Sequence, residues 1–501
     1  MRVQSVCIVG GGTSGWLAAC YINHNLPSLN VTLIESTKIG TIGVGEGTQP
    51  YTTTFLRNCG LNPEDWMKSS DATYKLGVEF IGWQKDSFFV DNDSTLTHIV
   101  SPSRLVHNYW VGINPNEYYD WLPAYRLAKA NKSPKFSKDL DFVVGSKVQS
   151  SEAVHFNAIK IVKSLQDKVK DKINYIDGEI VDVKVTHQGI DGIILETQTV
   201  KSDLYLDCTG FKSLLLEKYL GIKHLKIDSL LPCDKAIAMP TNYKNPYNEC
   251  HPYTKSTAMN SGWKWTIPTF GRIGNGYVYS SSFITKDQAE LEFRQSVNDY
   301  TTDVIHLDMK TGYKEQICYK NVIAVGLSGG FVEPLEATGI TFTTKSLEML
   351  VSYLKSFNLE FCDALKDSIN DLYSDLFREI LAFIHIHYKT NSKKDTDFWK
   401  YFDDVPMPEF IKEILRNFIP TPPEELFKEY NFTMFHSGQW FQVINACGQY
   451  LNEKRNITDI DYYNIQKEML KVRTNMEIDC FPNHYQYLEM IYNGPSTAST
   501  S

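Results

Sequence analysis

The chain is expected to adopt an α/β fold in which a nucleotide-binding βαβ unit is interleaved with further β-sheet and followed by a mainly helical C-terminal cap. Three observations predict this. A glycine-rich turn separates a strand-like run from a helix-like run at the N-terminus, and strand-like segments recur from residue 6 to residue 326. After residue 341 the apolar spacing changes to that of amphipathic helices.

The N-terminal unit reads in order. Val6-Cys7-Ile8-Val9 is a short apolar strand, Gly10-Gly11-Gly12-Thr13-Ser14-Gly15 is the turn, Trp16 to Asn25 is helical, and Val31 to Ile34 is a second strand closing on Glu35. This context gives the G-x-G-x-x-G pattern its meaning as a Rossmann-like fingerprint. Gly10 allows the tight turn, Gly12 lets backbone approach a pyrophosphate, and Gly15 lets the helix pack on the strand. Free N–H groups at the helix start, around Thr13 and Ser14, attract phosphate. Glu35, twenty residues beyond Gly15, is placed to accept a hydrogen bond from a ribose hydroxyl.

Further along, Ile180 to Leu195 alternates, with Val181, Val183 and Val185 on one face and turns near Gly189 and Gly192, as in a meander. Leu204 to Asp207 is a strand running into Cys208-Thr209-Gly210, and Val322 to Val325 runs into a loop opened by Gly326 and Leu327. Strands so widely spread fit one interleaved module, residues 1–341, better than a series of separate units. Leu347, Leu350, Val351 and Leu354, then Ile369, Leu372, Leu376 and Ile380, have helical spacing, which assigns 342–495 to a mainly helical, substrate-covering region. The Ser/Thr-rich end, 496–501, is expected to be a flexible tail.

With 501 residues the chain can bury a large cofactor, and 50 Lys plus Arg against 59 Asp plus Glu, a net charge of -9, disfavours nucleic acid or an anionic membrane as partner. No apolar run reaches the roughly 18 residues of a membrane span. The 10 cysteines form no C-x-x-C pair, which argues against a zinc site or a secreted disulfide framework and for a reducing cytoplasm. His385 and His387 stand near a helix end with no third ligand in view, so solvated or core histidines are expected and no metal.

Four stretches carry possible chemistry. Trp263-Lys264-Trp265-Thr266-Ile267-Pro268 places both indoles on one face of an extended segment, with the proline expected to end any ladder beyond them. Taken alone, it also reads as an aromatic-rich end of a core strand. Lys75, between Tyr74 and Leu76 and ahead of Phe80 and Trp83, stands in an apolar, aromatic setting. Desolvation there lowers an amine pKa, although a surface lysine lying over aromatic neighbours reads the same way. In Pro334-Leu335-Glu336-Ala337-Thr338-Gly339-Ile340, Thr338 and Gly339 at a helix start offer N–H groups to an anion, and Glu336 is either a base or a capping charge. Trp440 is a lone aromatic able to stack on a ring or to fill the core.

Taken together these stretches closely resemble the flavin-dependent halogenases of the tryptophan halogenase family. The resemblance rests on the glycine fingerprint, Val44 to Pro50, the Lys75 segment, His155 to Ala158, Asp207 to Phe211, the Trp263 to Pro268 hexapeptide, Pro334 to Ile340, and Asp395 to Trp399. It implies a fold like that of flavin monooxygenases, a box-shaped FAD module with a largely helical pyramid above it. It also implies FAD, delivered as FADH2 by a separate flavin reductase, with O2 giving a flavin hydroperoxide that a halide attacks to yield hypohalous acid. By motif, Glu46, Gly47, Gly326, Leu327 and Ile340 join the fingerprint residues at the cofactor, and the N–H groups of Thr338 and Gly339 hold the halide. Lys75 holds or captures the hypohalous species and delivers it to an electron-rich aromatic, indole-like or phenolic. Glu336 activates the oxidant or takes the ring proton, and Trp263 and Trp265 wall the flavin off from the substrate. A homodimer is expected from family habit.

Two departures matter. Ala337 stands where many members carry Ser, which leaves halide preference open, and Phe435 to Val443 lacks the Tyr-Tyr-Glu-rich pattern that holds free tryptophan. The alternatives are an aromatic hydroxylase on the same fold and a non-catalytic FAD-binding redox module. The first needs neither the lysine nor the hexapeptide, and the second does not need Lys75 and Glu336 to match together.

Overall fold

The computed structural model describes residues 1–39, 45–92, 123–135, 153–418, 437–446 and 478–494, with the short stretches 142–143, 146–147 and 434–435. A six-stranded sheet carries the N-terminal fingerprint. Its order is Asn174–Asp177, Asn30–Glu35, Ser5–Val9, Leu204–Asp207, Val322–Ala324 and Cys318–Tyr319, all pairs parallel except the last. Val6, Cys7, Ile8 and Val9 are all buried, as strands covered on both faces must be. The helix Thr13–Asn25 begins earlier than its apolar residues indicate, so Thr13, Ser14 and Gly15 form its first turn. Gly10 has φ of +114°, and a Cβ there would strike Cys208 O, while a Cβ on Gly15 would strike Gly10 O. Both positions therefore require glycine.

The meander is a hairpin of Ile180–Thr186 and Gly189–Leu195, but register shifts interrupt it between Ile180 and Asp182 and between Lys184 and Val185. Val183 is buried whereas Val181 and Val185 are exposed, because each bulge resets which face the next side chain meets.

A seven-stranded sheet is the scaffold of the site. The hexapeptide strand Gly262–Thr269 lies inside it, antiparallel to Thr254–Met259 on one side and Arg272–Tyr279 on the other. Contrary to the sequence expectation, Pro268 does not end the ladder: it pairs with Ile273, and Thr269 pairs with Arg272. The neighbour Thr254–Met259 pairs no further than Thr266, so among the described residues the edge at Pro268 has no strand that needs its missing N–H. That edge is taken by Thr73, whose hydroxyl donates to Pro268 O at 2.7 Å.

A three-stranded antiparallel sheet, Gly45–Gly47, Ala153–Asn157 and Thr73–Lys75, abuts the larger one. Lys75 ends the small sheet and Gly77 begins the strand Gly77–Ile81 of the large one, so the lysine stands at their junction. Two long helices, Thr338–Ser356 and Asp363–Lys389, open the C-terminal region, with Leu347, Leu350, Leu354, Ile369, Leu376 and Ile380 buried as their spacing predicts. From Glu379 to Tyr388 every residue is buried, which marks a helix passing through the interior. Among the described residues no helix is long and apolar enough to cross a membrane.

Trp265 lies directly across from Gly276, and a Cβ on Gly276 would fall inside the indole ring. Gly276→Ala is expected to displace Trp265 and cost about 1–3 kcal/mol, read as a lower midpoint in thermal or chemical denaturation.

Candidate active site

Lys75 is buried, and its ammonium donates to Thr48 O at 2.9 Å. Burial lowers its pKa to about 8, partly opposed by the nearby Glu336 carboxylate. Thr48 is itself fixed, its hydroxyl donating to Val154 O at 3.0 Å and accepting from Val154 N at 2.9 Å. The next residue holds Glu336. Gln49 Nε2 donates to Glu336 O at 3.0 Å. Lys75 and Glu336 are thus anchored by consecutive residues of one segment.

Glu336 is fully buried just ahead of the helix Thr338–Ser356, where Ala337 takes a left-handed φ of 57°. Its carboxylate does not cap that helix. Oε1 lies 3.2 Å from His387 Nε2, and Oε2 has no partner among the described residues. His387 Nδ1 lies 2.7 Å from Phe383 O, which can only accept, so Nδ1 carries a proton. A bare Nε2 facing an ionised carboxylate would set two lone pairs against each other. Glu336 and His387 therefore face each other in one buried hydrogen bond. The imidazole is enclosed by the rings of Phe80, Trp83, Phe88 and Phe383, at centroid distances of 4.9, 6.4, 6.4 and 5.1 Å.

His385 and His387 are core residues, and the described residues contain no group of side chains able to hold a metal. Their spacing along one helix turns them to different faces, and His385 instead meets Leu230 O at 3.3 Å through Nδ1. The sequence gives no sign of the roles of His387 and Gln49. Neither has a local signal, because both act on a residue distant in the chain.

The start of helix Thr338–Ser356 has no side-chain cap, so the N–H groups of Thr338 and Gly339 lack an intrahelical partner. Thr338, Gly339, Gly326, Leu327 and Phe342 line one small cavity. A Cβ on Gly339 or Gly12 would meet nothing within 4 Å among the described residues, so backbone at both places is open to a ligand. Gly326 has φ of +69°, and a Cβ there would strike Ser14 Oγ, which brings the second glycine loop against the fingerprint. Ile340 is buried in the helix's first turn. Glu35 accepts from Trp16 Nε1 at 3.2 Å and from the Tyr175 hydroxyl at 2.9 Å. Glu46 is half-buried on Gly45–Gly47, and desolvation pushes its carboxyl up to about 7. Gly47 faces Ala337, where a Cβ would stand 3.6 Å from the alanine Cβ. Open glycine backbone, an uncapped helix start and the fingerprint turn together form a surface suited to a dinucleotide and a small anion.

Trp263 and Trp265 are buried with ring centroids 6.2 Å apart. Neither indole N–H has a hydrogen-bond partner among the described residues. Trp263, Tyr388 and Cys233 surround the Glu333 carboxyl without reaching hydrogen-bond geometry, and burial pushes that carboxyl up to about 7. The hexapeptide face is therefore turned towards the loop that carries Glu336. Trp440 is fully buried with its ring edge-on to Phe383 at 4.9 Å.

Residues 5–460 match the family model described as tryptophan halogenase. The chain belongs to the tryptophan halogenase family. It is similar to the 7-chloro-L-tryptophan 6-halogenase KtzR of Kutzneria, with 30% identity over 96% of this chain and 98% of the relative. Among solved structures it resembles the tryptophan 6-halogenase SttH of Streptomyces toxytricini, with 28% identity, a TM-score of 0.88, and 97% and 99% of the two chains covered. It also resembles BrvH, a flavin-dependent halogenase from Brevundimonas sp. BAL3, with 27% identity, a TM-score of 0.84, and 98% and 99% coverage. As a flavin-dependent halogenase the chain is an enzyme, and its mixed sheets and helical C-terminal region match that family's fold.

In this halogenase the Glu336–His387 contact is a buried pair whose disruption strands one partner. His387→Leu is expected to cost about 3–5 kcal/mol and Glu336→Leu a similar amount. A double-mutant cycle by urea denaturation should give a coupling of about 0.5–3 kcal/mol, and strict additivity would refute a stabilising contact.

Proposed function

We propose that this halogenase uses FAD, received in reduced form from a separate flavin reductase, to halogenate an electron-rich aromatic, indole-like or phenolic, through Lys75. The arrangement that carries this reading is the buried amine of Lys75 and the buried carboxyl of Glu336, held by Thr48 and Gln49 in succession. When bound, the reduced flavin supplies with O2 the two-electron oxidant that converts halide to hypohalous acid.

The remaining work belongs to the chain. Gly10, Gly12 and Gly15 with the helix start at Thr13 and Ser14 receive the pyrophosphate, and Glu35 the ribose. Glu46, Gly47, Gly326, Leu327 and Ile340 border the rest of the cofactor. The N–H groups of Thr338 and Gly339 hold the halide, and the missing Ser hydroxyl at Ala337 makes this a site of backbone donors. Trp263 and Trp265 wall the organic substrate off from the flavin while a small oxidant passes to Lys75. Lys75 retains that oxidant until the aromatic carbon attacks the halogen. The ring then loses its proton, which Glu336 is placed to take at Oε2, its oxygen without a partner among the described residues. Trp440 belongs to the substrate side, where the described structure gives it Phe383 as neighbour.

Turnover with a generic flavin reductase, NADH, FAD and each of chloride, bromide and iodide against a panel of indoles and phenols tests the reading. Halogenated product masses are expected, and none from any acceptor would overturn it. Lys75→Ala should abolish halogenation while FAD binding, monitored by flavin absorbance, is retained.

An amine whose pKa is lowered to about 8 becomes neutral as pH rises through that value. If the free amine captures the halogen, the single-turnover transfer rate should increase through pH 8. A flat or falling profile would rule out capture by the neutral amine.

A further inference from the structure

The buried amides of Gln49, Asn92 and Gln439 form a relay with a fixed direction. Glu336 O can only accept, so Gln49 must present Nε2 to it, at 3.0 Å. Gln49 Oε1 is then turned the other way, where it accepts from Asn92 Nδ2 at 2.7 Å and from Gln439 Nε2 at 3.3 Å. Asn92 thus spends its N–H2 on Gln49, and its Oδ1 is turned away from it as an acceptor. That oxygen is buried and has no hydrogen-bond partner among the described residues, although the residue is only 2% exposed.

An acceptor stripped of water and left unpaired is costly, and native proteins keep such groups where something else satisfies them. Its location says what that is. Asn92 N donates to the carbonyl of Leu76, the residue after Lys75, at 3.0 Å, and its side chain is one hydrogen bond from the Gln49 amide that holds Glu336. Asn92 is therefore tied by hydrogen bonds to the segments that carry both Lys75 and Glu336. A rigid acceptor there matches a substrate with an N–H or O–H on its aromatic ring.

We propose that Asn92 Oδ1 is a specificity determinant that accepts a hydrogen bond from the ring N–H of an indole-like acceptor or the O–H of a phenolic one. The inference rests on the halogenation reading and narrows its substrate class. The donor that Asn92 reads is the same heteroatom whose lone pair makes the ring electron-rich, so recognition and reactivity select the same molecules. It also fixes the ring's rotation relative to Lys75. Gln49 acts as a positioning residue, because its amide orientation is what turns Asn92 Oδ1 outward.

Binding to the FAD-loaded protein tests this without turnover, using near-isosteric pairs that differ in the donor: indole against benzofuran, and phenol against fluorobenzene. Competition measured by saturation-transfer NMR should show the donor-bearing member of at least one pair binding about tenfold more tightly, and the pair that discriminates identifies the donor class. The preference should collapse to about twofold or less in Asn92→Leu with flavin absorbance unchanged, whereas Asn92→Asp, which keeps an acceptor oxygen, should retain it. Equal binding within both pairs by the unaltered protein would overturn the proposal whatever the variants do. So would a preference that survives Asn92→Leu. Selective binding without halogenated product in the turnover assay would instead strike the reading of the reaction and leave the acceptor site standing.

Discussion

Everything at the centre of this protein depends on keeping an amine out of water. A buried lysine is expensive, and the fold offers Lys75 one backbone carbonyl and one nearby carboxylate in return. The carbonyl belongs to Thr48, which the strand Ala153–Asn157 pins through two hydrogen bonds to Val154. The carboxylate belongs to Glu336, whose backbone is pinned by Gln49. Moving the Thr48–Gln49 segment would therefore disturb both groups at once. This explains why a small three-stranded sheet is wedged against the large one.

The second constraint is the burial of Glu336. A carboxyl with no exposed surface needs a partner, and the partner comes from the fully buried stretch of helix Asp363–Lys389. That helix passes through the interior, so a histidine on it can reach the loop ahead of Thr338. The aromatic rings around His387 exclude water from the contact and hold the imidazole plane. The helical C-terminal region and the preceding sheets are in this way joined at the Glu336 carboxyl, not merely stacked.

The hexapeptide shows where a sequence signature and its structural cause differ. Its alternation correctly places Trp263 and Trp265 together, but the proline rule, applied locally, stops the strand too early. The ladder continues because the neighbouring strand has already ended at its partner Thr266. The same lesson applies to Val181 and Val185: alternation assigns a face, and two bulges unseen in the sequence reassign it. Both misreadings concern what lies beside a strand, which a single segment does not encode.

By itself the sequence determined the elements whose causes are local. Glycines with no room for a Cβ specify the fingerprint turn, apolar runs specify the parallel strands, and helical spacing specifies the long C-terminal helices. It also placed Lys75 in apolar surroundings and an anion-ready helix start at Thr338. What only the tertiary structure decided is which residues meet. Gln49, Asn92, Glu336, His387 and Gln439 come from widely separated parts of the chain, and nothing in their own neighbourhoods marks the contacts they make. The physical reason is that a hydrogen bond between buried side chains depends on the packing of whole elements, whereas a turn or a helix depends on the few residues that compose it.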